Sequence, residues 1–271
     1  MANNYLEKDY LLTCSLRETS IQANVATIRN AIFDGADAFM LHLEKIPDEN
    51  INVEDLKRLY DYAGKRPIIS VNYRSKNKPG KTDDDLIAQQ MISIEAGAQI
   101  VDVFGDIYNP SKDELALDSE TINKQKDYIN TIHSRGAKVL MSSHIYRYMN
   151  TEEVLSHALK MQERGADIAK IAMTVNSEVE FQEAINTMFE LKNKLSISYF
   201  FVTMGQYGKL LRQISGLLGS KIVLCNQQYT ENSKPLEQPL LRAMKTVYDN
   251  LDLDMARDTT LGTVKGQWYE F

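Results

Sequence analysis

The sequence predicts a closed (β/α)8 barrel, a TIM barrel, in a single domain. Three observations carry that expectation: eight short apolar runs, amphipathic segments between them, and a length of 271 residues. Runs that are apolar almost throughout mark strands buried on both faces, as in parallel sheets covered by helices. Eight repeats in about 250 residues favour closure over an open doubly wound sheet. No G-x-G-x-x-G follows the first run, which removes the main signal for a dinucleotide-binding fold.

Taken in order, the strands are expected at 10–16 (YLLTCSL), 36–43 (ADAFMLHL), 66–73 (RPIISVNY) and 98–105 (AQIVDVFG). Four more are expected at 137–144 (AKVLMSSH), 166–174 (ADIAKIAMT), 197–204 (ISYFFVTM) and 220–227 (SKIVLCNQ). After the fifth strand, Val154, Leu155, Ala158, Leu159 and Met161 recur at helical spacing. The helix after the sixth should open at Ser177 as N-cap, with Glu180 completing a capping box. The last helix should begin at Pro239, whose fixed φ suits a first helical position. Gly35, Gly97, Gly136 and Gly165, each followed by alanine, stand where a helix gives way to a strand. Glycine there supplies the left-handed residue that ends a helix. The barrel should occupy residues 1–251, with 252–271 a C-terminal tail. Trp268, Tyr269 and Phe271 suggest that the tail docks on the barrel or a partner subunit; disorder with incidental aromatics is the alternative.

A net charge of −6, a pI near 5.4 and scattered basic residues argue against a nucleic-acid partner. No apolar stretch approaches the ~20 residues of a membrane helix, and no basic-then-apolar leader opens the chain. A cytoplasmic protein with no membrane partner is expected, and a homodimer is left open. Cys14 and Cys225 fall in expected strands and read as reduced core thiols.

Chemistry collects at the carboxyl ends of barrel strands. Lys170 lies among Ile168, Ala169, Ile171, Ala172 and Met173. A buried ammonium loses hydration, and nothing adjacent in this stretch replaces it. Such a lysine is expected to shed its proton, its pKa falling from about 10.4 by up to several units. A neutral lysine amine is the nucleophile that forms Schiff bases. The alternative is an edge strand with Lys170 in water. His144 ends the fifth strand, one strand spacing of roughly 4.8 Å away. Arg74 ends the third strand. Met204 ends the seventh, ahead of a mobile-looking turn with two glycines and then Arg212. A polar loop, NQQYTENSKPLEQP, follows the eighth. Singly, the histidine and arginines read as ordinary loop or surface residues, and Met204 as filler. Together they suit an imine-forming lysine, a proton-moving histidine and an arginine that holds a carboxylate. That set fits β-elimination or aldol chemistry on a small keto acid.

From the second strand to the eighth helix the chain resembles the type I 3-dehydroquinate dehydratases. The most specific stretches are KVLMSSH, RGADIAKIAMTVNS with SEVEF, and VTMGQYGKLLRQISGLLGS. The resemblance implies syn elimination of water from 3-dehydroquinate, without metal or organic cofactor. It implies Lys170 as the imine lysine, His144 as general acid and base, Arg212 on the substrate carboxylate and Arg74 as a further substrate contact. The sequence also departs from the family. Met40, His42 and Glu44 replace its glutamate, arginine and aspartate after the second strand. Lys78 stands where a glutamate would orient the histidine, and Phe104 where the fourth strand is usually acidic. In the last loop Ser233 and Gln238 (or Glu237) are the nearest equivalents of a binding serine and glutamine. Lost acceptors and a cation near the imidazole predict weak turnover of 3-dehydroquinate and an altered substrate. A class I aldolase-type lyase and a non-catalytic barrel that binds a carboxylated ligand are the alternatives.

Overall fold

A computed structural model describes residues 5–74, 80–230 and 238–251. Its first half runs β1 (Leu11–Leu16), α1 (Ile21–Phe33), β2 (Ala38–His42), α2 (Val53–Asp61), β3 (Ile68–Val71), α3 (Asp83–Glu95), β4 (Ile100–Phe104) and α4 (Ser119–Ser134). The second runs β5 (Lys138–His144), α5 (Thr151–Glu163), β6 (Ile168–Thr174), α6 (Glu178–Lys194), β7 (Ser198–Met204), α7 (Gly208–Ile214), β8 (Ile222–Cys225) and α8 (Leu241–Asn250). The strands pair in parallel in the order β7-β6-β5-β4-β3-β2-β1-β8. A parallel bridge between Tyr199 and Ser220 joins the two ends. The fold is a nearly closed (β/α)8 TIM barrel.

Successive strand side chains point to opposite faces, so each strand divides into two sets. One set fills the barrel interior, where Met40, Ile69, Ile100, Leu140, Ile168, Phe200 and Ile222 form a single buried cluster. The other packs outward on the helices: Phe39 and Leu41 lie with Ile28 and Leu59, and Val139 and Ile171 with Ile132 and Val154. Burial on both faces explains why the strands read as unbroken apolar runs. It also means that an inward polar residue is trapped near the barrel axis. Asp102, Ser142 and Lys170 are such residues, each 6% exposed or less. Lys170 is therefore an interior residue, and the edge-strand alternative is excluded.

The local signals hold with two corrections. Gly35, Gly97, Gly136 and Gly165 all take positive φ, between 82° and 111°. Ser177 caps α6 through the Glu180 N–H, but the Glu180 carboxylate takes the Asn176 N–H instead of closing a box. Reciprocal boxes form at Thr82 with Asp85 and at Asn150 with Glu153. Pro239 is not the first residue of α8. Its carbonyl accepts the Asn226 N–H, and Leu240 bridges Asn226 in extended form, so the helix starts at Leu241. Cys14 and Cys225 are register partners on β1 and β8, both buried and free. Burial pushes the Cys14 thiol up to about 12. Among the described residues no helix is long and apolar enough to cross a membrane. Lys78, Ser233, Glu237 and the 252–271 tail lie outside the described residues.

Candidate active site

Lys170 has the inward parity of Ile168 and Ala172, and its ladder partner on β5 is Ser142. Its Nζ donates to Asp102 Oδ2 at 3.0 Å and to the Tyr73 hydroxyl at 2.6 Å. Ser142 donates to the other Asp102 oxygen, so the carboxylate is bonded on both sides. This corrects the expectation of a lysine without a carboxylate. The partner is 68 residues away in sequence and two strands away in space. Burial disfavours the ammonium, but Asp102 and Tyr73 outweigh it and hold the Lys170 pKa above its ordinary value. The resting amine is charged, not neutral.

His144 is set by an irregular loop between β4 and α4. Glu114 Oε2 accepts both the His144 backbone N–H, at 2.7 Å, and Nδ1, at 2.9 Å. With Nδ1–H given to the carboxylate, Nε2 is the nitrogen left to exchange a proton. Burial works against the Glu114 charge, yet the His144 contacts hold its carboxyl below the ordinary value. Glu114 has φ +47°, in the left-handed region that a non-glycine residue enters at a cost. Its surroundings hold it there. A Cβ on Gly105 would lie 2.5 Å from the Glu114 carbonyl oxygen, so only glycine allows this approach. Ser143 donates to the same oxygen at 2.6 Å. The buried Arg164 guanidinium donates to the carbonyls of Gly105 and Ala116 and to Gln125, tying both ends of the loop. The orienting carboxylate, sought at position 78 after the third strand, is thus Glu114 after the fourth. The acid that β4 offers Lys170 is likewise Asp102, two residues before Phe104.

Lys170, His144, Arg74, Met204, Arg212 and Gln238 all line one cavity of about 360 Å³. Tyr73, Glu114 and Arg17 line it too. Arg74 is committed within the protein: it makes a bidentate contact with Asp83 at 2.9 and 3.0 Å and reaches Asp106 at 3.1 Å. Arg212 is steadied by its Nε, which donates to the Thr203 carbonyl at 2.7 Å. The glycine turn before it is pinned, with Gln206 N–H on Asn176 Oδ1 and Tyr207 N–H on the Val175 carbonyl. Gln238 Oε1 accepts from Ser15 at 3.3 Å. On the β1–β2 side, Met40 is fully buried and His42 only 3% exposed, and neither lines the cavity. His42 sits between Glu44, 2.8 Å from Nδ1, and Arg17, whose Nε donates to Nε2 at 3.2 Å. Burial lowers the His42 pKa. The imidazole is therefore a neutral link that carries Arg17, and Arg17 is what β1 and β2 present to a ligand.

Sequence reasoning missed Asp102, Tyr73, Glu114 and Arg17. Asp102 gave a readable signal, because an acid of inward parity inside an apolar strand is the natural complement of Lys170. Arg17 and Tyr73 follow strand ends, where the same search found Arg74. Glu114 lies in a loop whose path no periodicity encodes.

The arrangement offers a buried lysine with proton acceptors at its nitrogen, an oriented imidazole and a guanidinium, all on one apolar-walled cavity. The chain is 29% identical over 145 residues to the 3-dehydroquinate dehydratase of Clostridium novyi (strain NT), covering 50% of this chain and 56% of that protein. The match therefore spans little more than half of that relative's length. To the Clostridium kluyveri (strain ATCC 8527) enzyme it is 26% identical over 207 residues, covering 76% of this chain and 78% of that one. A crystal structure of the type I 3-dehydroquinate dehydratase from Clostridium difficile shares the fold, with a TM-score of 0.72 at 18% identity over 88% of this chain and 91% of that one. The family model for type I 3-dehydroquinase matches residues 12–255, nearly the whole barrel, and the chain belongs to that family.

Proposed function

We propose that this barrel is a Schiff-base hydro-lyase that dehydrates 3-dehydroquinate or a closely related hydroxylated keto acid. One observation carries the reading: Lys170 and an imidazole held through Nδ1 by Glu114 open on the same cavity. Lys170 condenses with the substrate ketone, releasing water, and the protonated imine draws electrons from the neighbouring carbon. His144 Nε2 takes a proton from that carbon, leaving an enamine. The enamine electrons then expel the β-hydroxyl, which leaves as water with the proton from His144. Hydrolysis of the conjugated imine frees the product and restores Lys170. Arg212, which lines the cavity and is oriented through its Nε on the Thr203 carbonyl, is the residue we assign to the substrate carboxylate. Arg17 at the β1 rim favours a hydroxyl-reading pattern of its own, and so an altered substrate.

Borohydride added with 3-dehydroquinate tests the reading. It should fix the ligand's mass on the peptide that contains Lys170, and Lys170→Ala should abolish the label. An unlabelled wild type, or full labelling of the variant, would remove the proposal. Dehydroshikimate absorbance, followed in parallel, reports whether 3-dehydroquinate itself is turned over.

A further inference from the structure

We propose that Tyr73 is a catalytic residue: the acid–base group that serves the Lys170 nitrogen while the imine is made and hydrolysed. This rests on the Schiff-base reading and adds a second proton carrier beside His144. Forming an imine from an ammonium requires protons to leave nitrogen and reach the departing carbonyl oxygen. Among the described residues no hydrogen bond joins His144 to Lys170. Two groups do touch Nζ, namely Asp102 and Tyr73. Asp102 is enclosed by Ser142 and Lys170 and does not line the cavity, whereas Tyr73 does. Among the described residues, only Tyr73 therefore contacts both the reacting nitrogen and the space where a substrate oxygen must lie. Its ring stands edge-on to His144, with centroids 4.9 Å apart, which fixes the hydroxyl beside the lysine. The hydroxyl accepts from Nζ and so still carries its own proton to give. Burial raises the phenol's pKa despite the facing ammonium, which keeps that proton in place near neutrality.

The steps balance. Asp102 takes one proton from the ammonium, and the amine nitrogen bonds to the carbonyl carbon while the π electrons move to oxygen. Tyr73 protonates that oxygen, giving a carbinolamine, and the phenolate takes a proton back from the now cationic nitrogen. Tyr73 then protonates the hydroxyl, the carbon–oxygen bond breaks, and water leaves as the nitrogen lone pair forms the iminium. The phenolate recovers its proton from the Lys170 nitrogen, and Asp102 returns to that nitrogen the proton it took. The three protons of the ammonium end as one on the iminium and two in water, whose oxygen is the carbonyl's.

Formaldehyde with cyanoborohydride tests Tyr73 without needing the natural substrate, because methylation of Lys170 passes through the same carbinolamine. Tyr73→Phe removes only the oxygen and keeps the ring on His144. It should slow methylation of the Lys170 peptide by about 10²-fold, the low end of general acid–base catalysis. Methylation at the wild-type rate would overturn the proposal. A role in packing alone is separated by 3,5-difluorotyrosine at position 73. The more acidic phenol should move the alkaline limb of the methylation profile to lower pH, and an unmoved profile refutes the assignment. Failure of the underlying reading looks different: 3-dehydroquinate then leaves no label on Lys170 even though formaldehyde methylates it in a Tyr73-dependent way. If Lys170 resists both carbonyl reagents, both proposals fall.

Discussion

Acid should destabilise this barrel through His157. His157, on α5, is 6% exposed, and its Nε2 lies 2.8 Å from Ser143 Oγ. Ser143 gives its own proton to the Glu114 carbonyl, so Nε2 must carry the hydrogen and donate it to Ser143. Burial pushes its pKa down to about 4, against a weaker opposing pull from Asp113. In the unfolded chain the group titrates near its ordinary value of about 6.5. Between those values the unfolded state binds more protons, so stability rises with pH and is lost as pH falls from about 6.5 towards 4. The full loss is about 3 kcal/mol, of which about 2 kcal/mol is gone by pH ~5. Urea unfolding near pH 7.5 and near pH 5 measures it in the wild type and in His157→Gln. The variant has a lower plateau, having lost a buried contact, but its decline should be flatter by about 2 kcal/mol. The neutral, buried His42 contributes a slope of the same sign to both proteins and cancels in the comparison. Equal slopes in the two proteins would refute the reasoning. Because Ser143 also braces Glu114, the acid-sensitive contact lies directly behind the group that orients His144.

Two further changes test the loop that supplies Glu114. Glu114→Gln should leave borohydride trapping on Lys170 intact while lowering turnover by part of the ~10²–10⁴-fold worth of general acid–base catalysis. A kcat equal to the wild type's would show that His144 needs no carboxylate. Gly105→Ala places a methyl 2.5 Å from the Glu114 carbonyl oxygen, against backbone. It should cost about 1–3 kcal/mol in urea unfolding and slow turnover as Glu114 is displaced. An unchanged midpoint and rate would mean that the loop yields freely.

The barrel was legible because its signal is repetitive. Each strand is buried on both faces, and α1, α3, α4 and α5 each end at a left-handed glycine. Two anomalous residues also stood out: Lys170 against its apolar neighbours and His144 at a strand end. What stayed hidden depends on closure of the sheet. Asp102 and Lys170 meet because β4 and β6 curve round one axis, and no local window contains both. Position-by-position comparison placed the orienting carboxylate at residue 78, but the same contact is made here from a different loop. Pro239 misled for a related reason, since a bridge to the end of β8 governs its backbone more strongly than its helix preference does. Local propensity decided the elements; the site was decided by contacts across the mouth.

The ion pair inside the barrel bears on how little the protein must rearrange during the proposed reaction. A protonated imine carries one positive charge at the same nitrogen as the ammonium it replaces. Asp102, already 3.0 Å away and braced by Ser142, meets the same charge before and after condensation. In a dry interior, reorienting dipoles around a new charge is a main component of a barrier, and a fixed counter-charge avoids it. The resting enzyme would thus be electrostatically solvated for its covalent intermediate. The same pairing that keeps Lys170 protonated at rest would then stabilise the cation that draws electrons from the substrate.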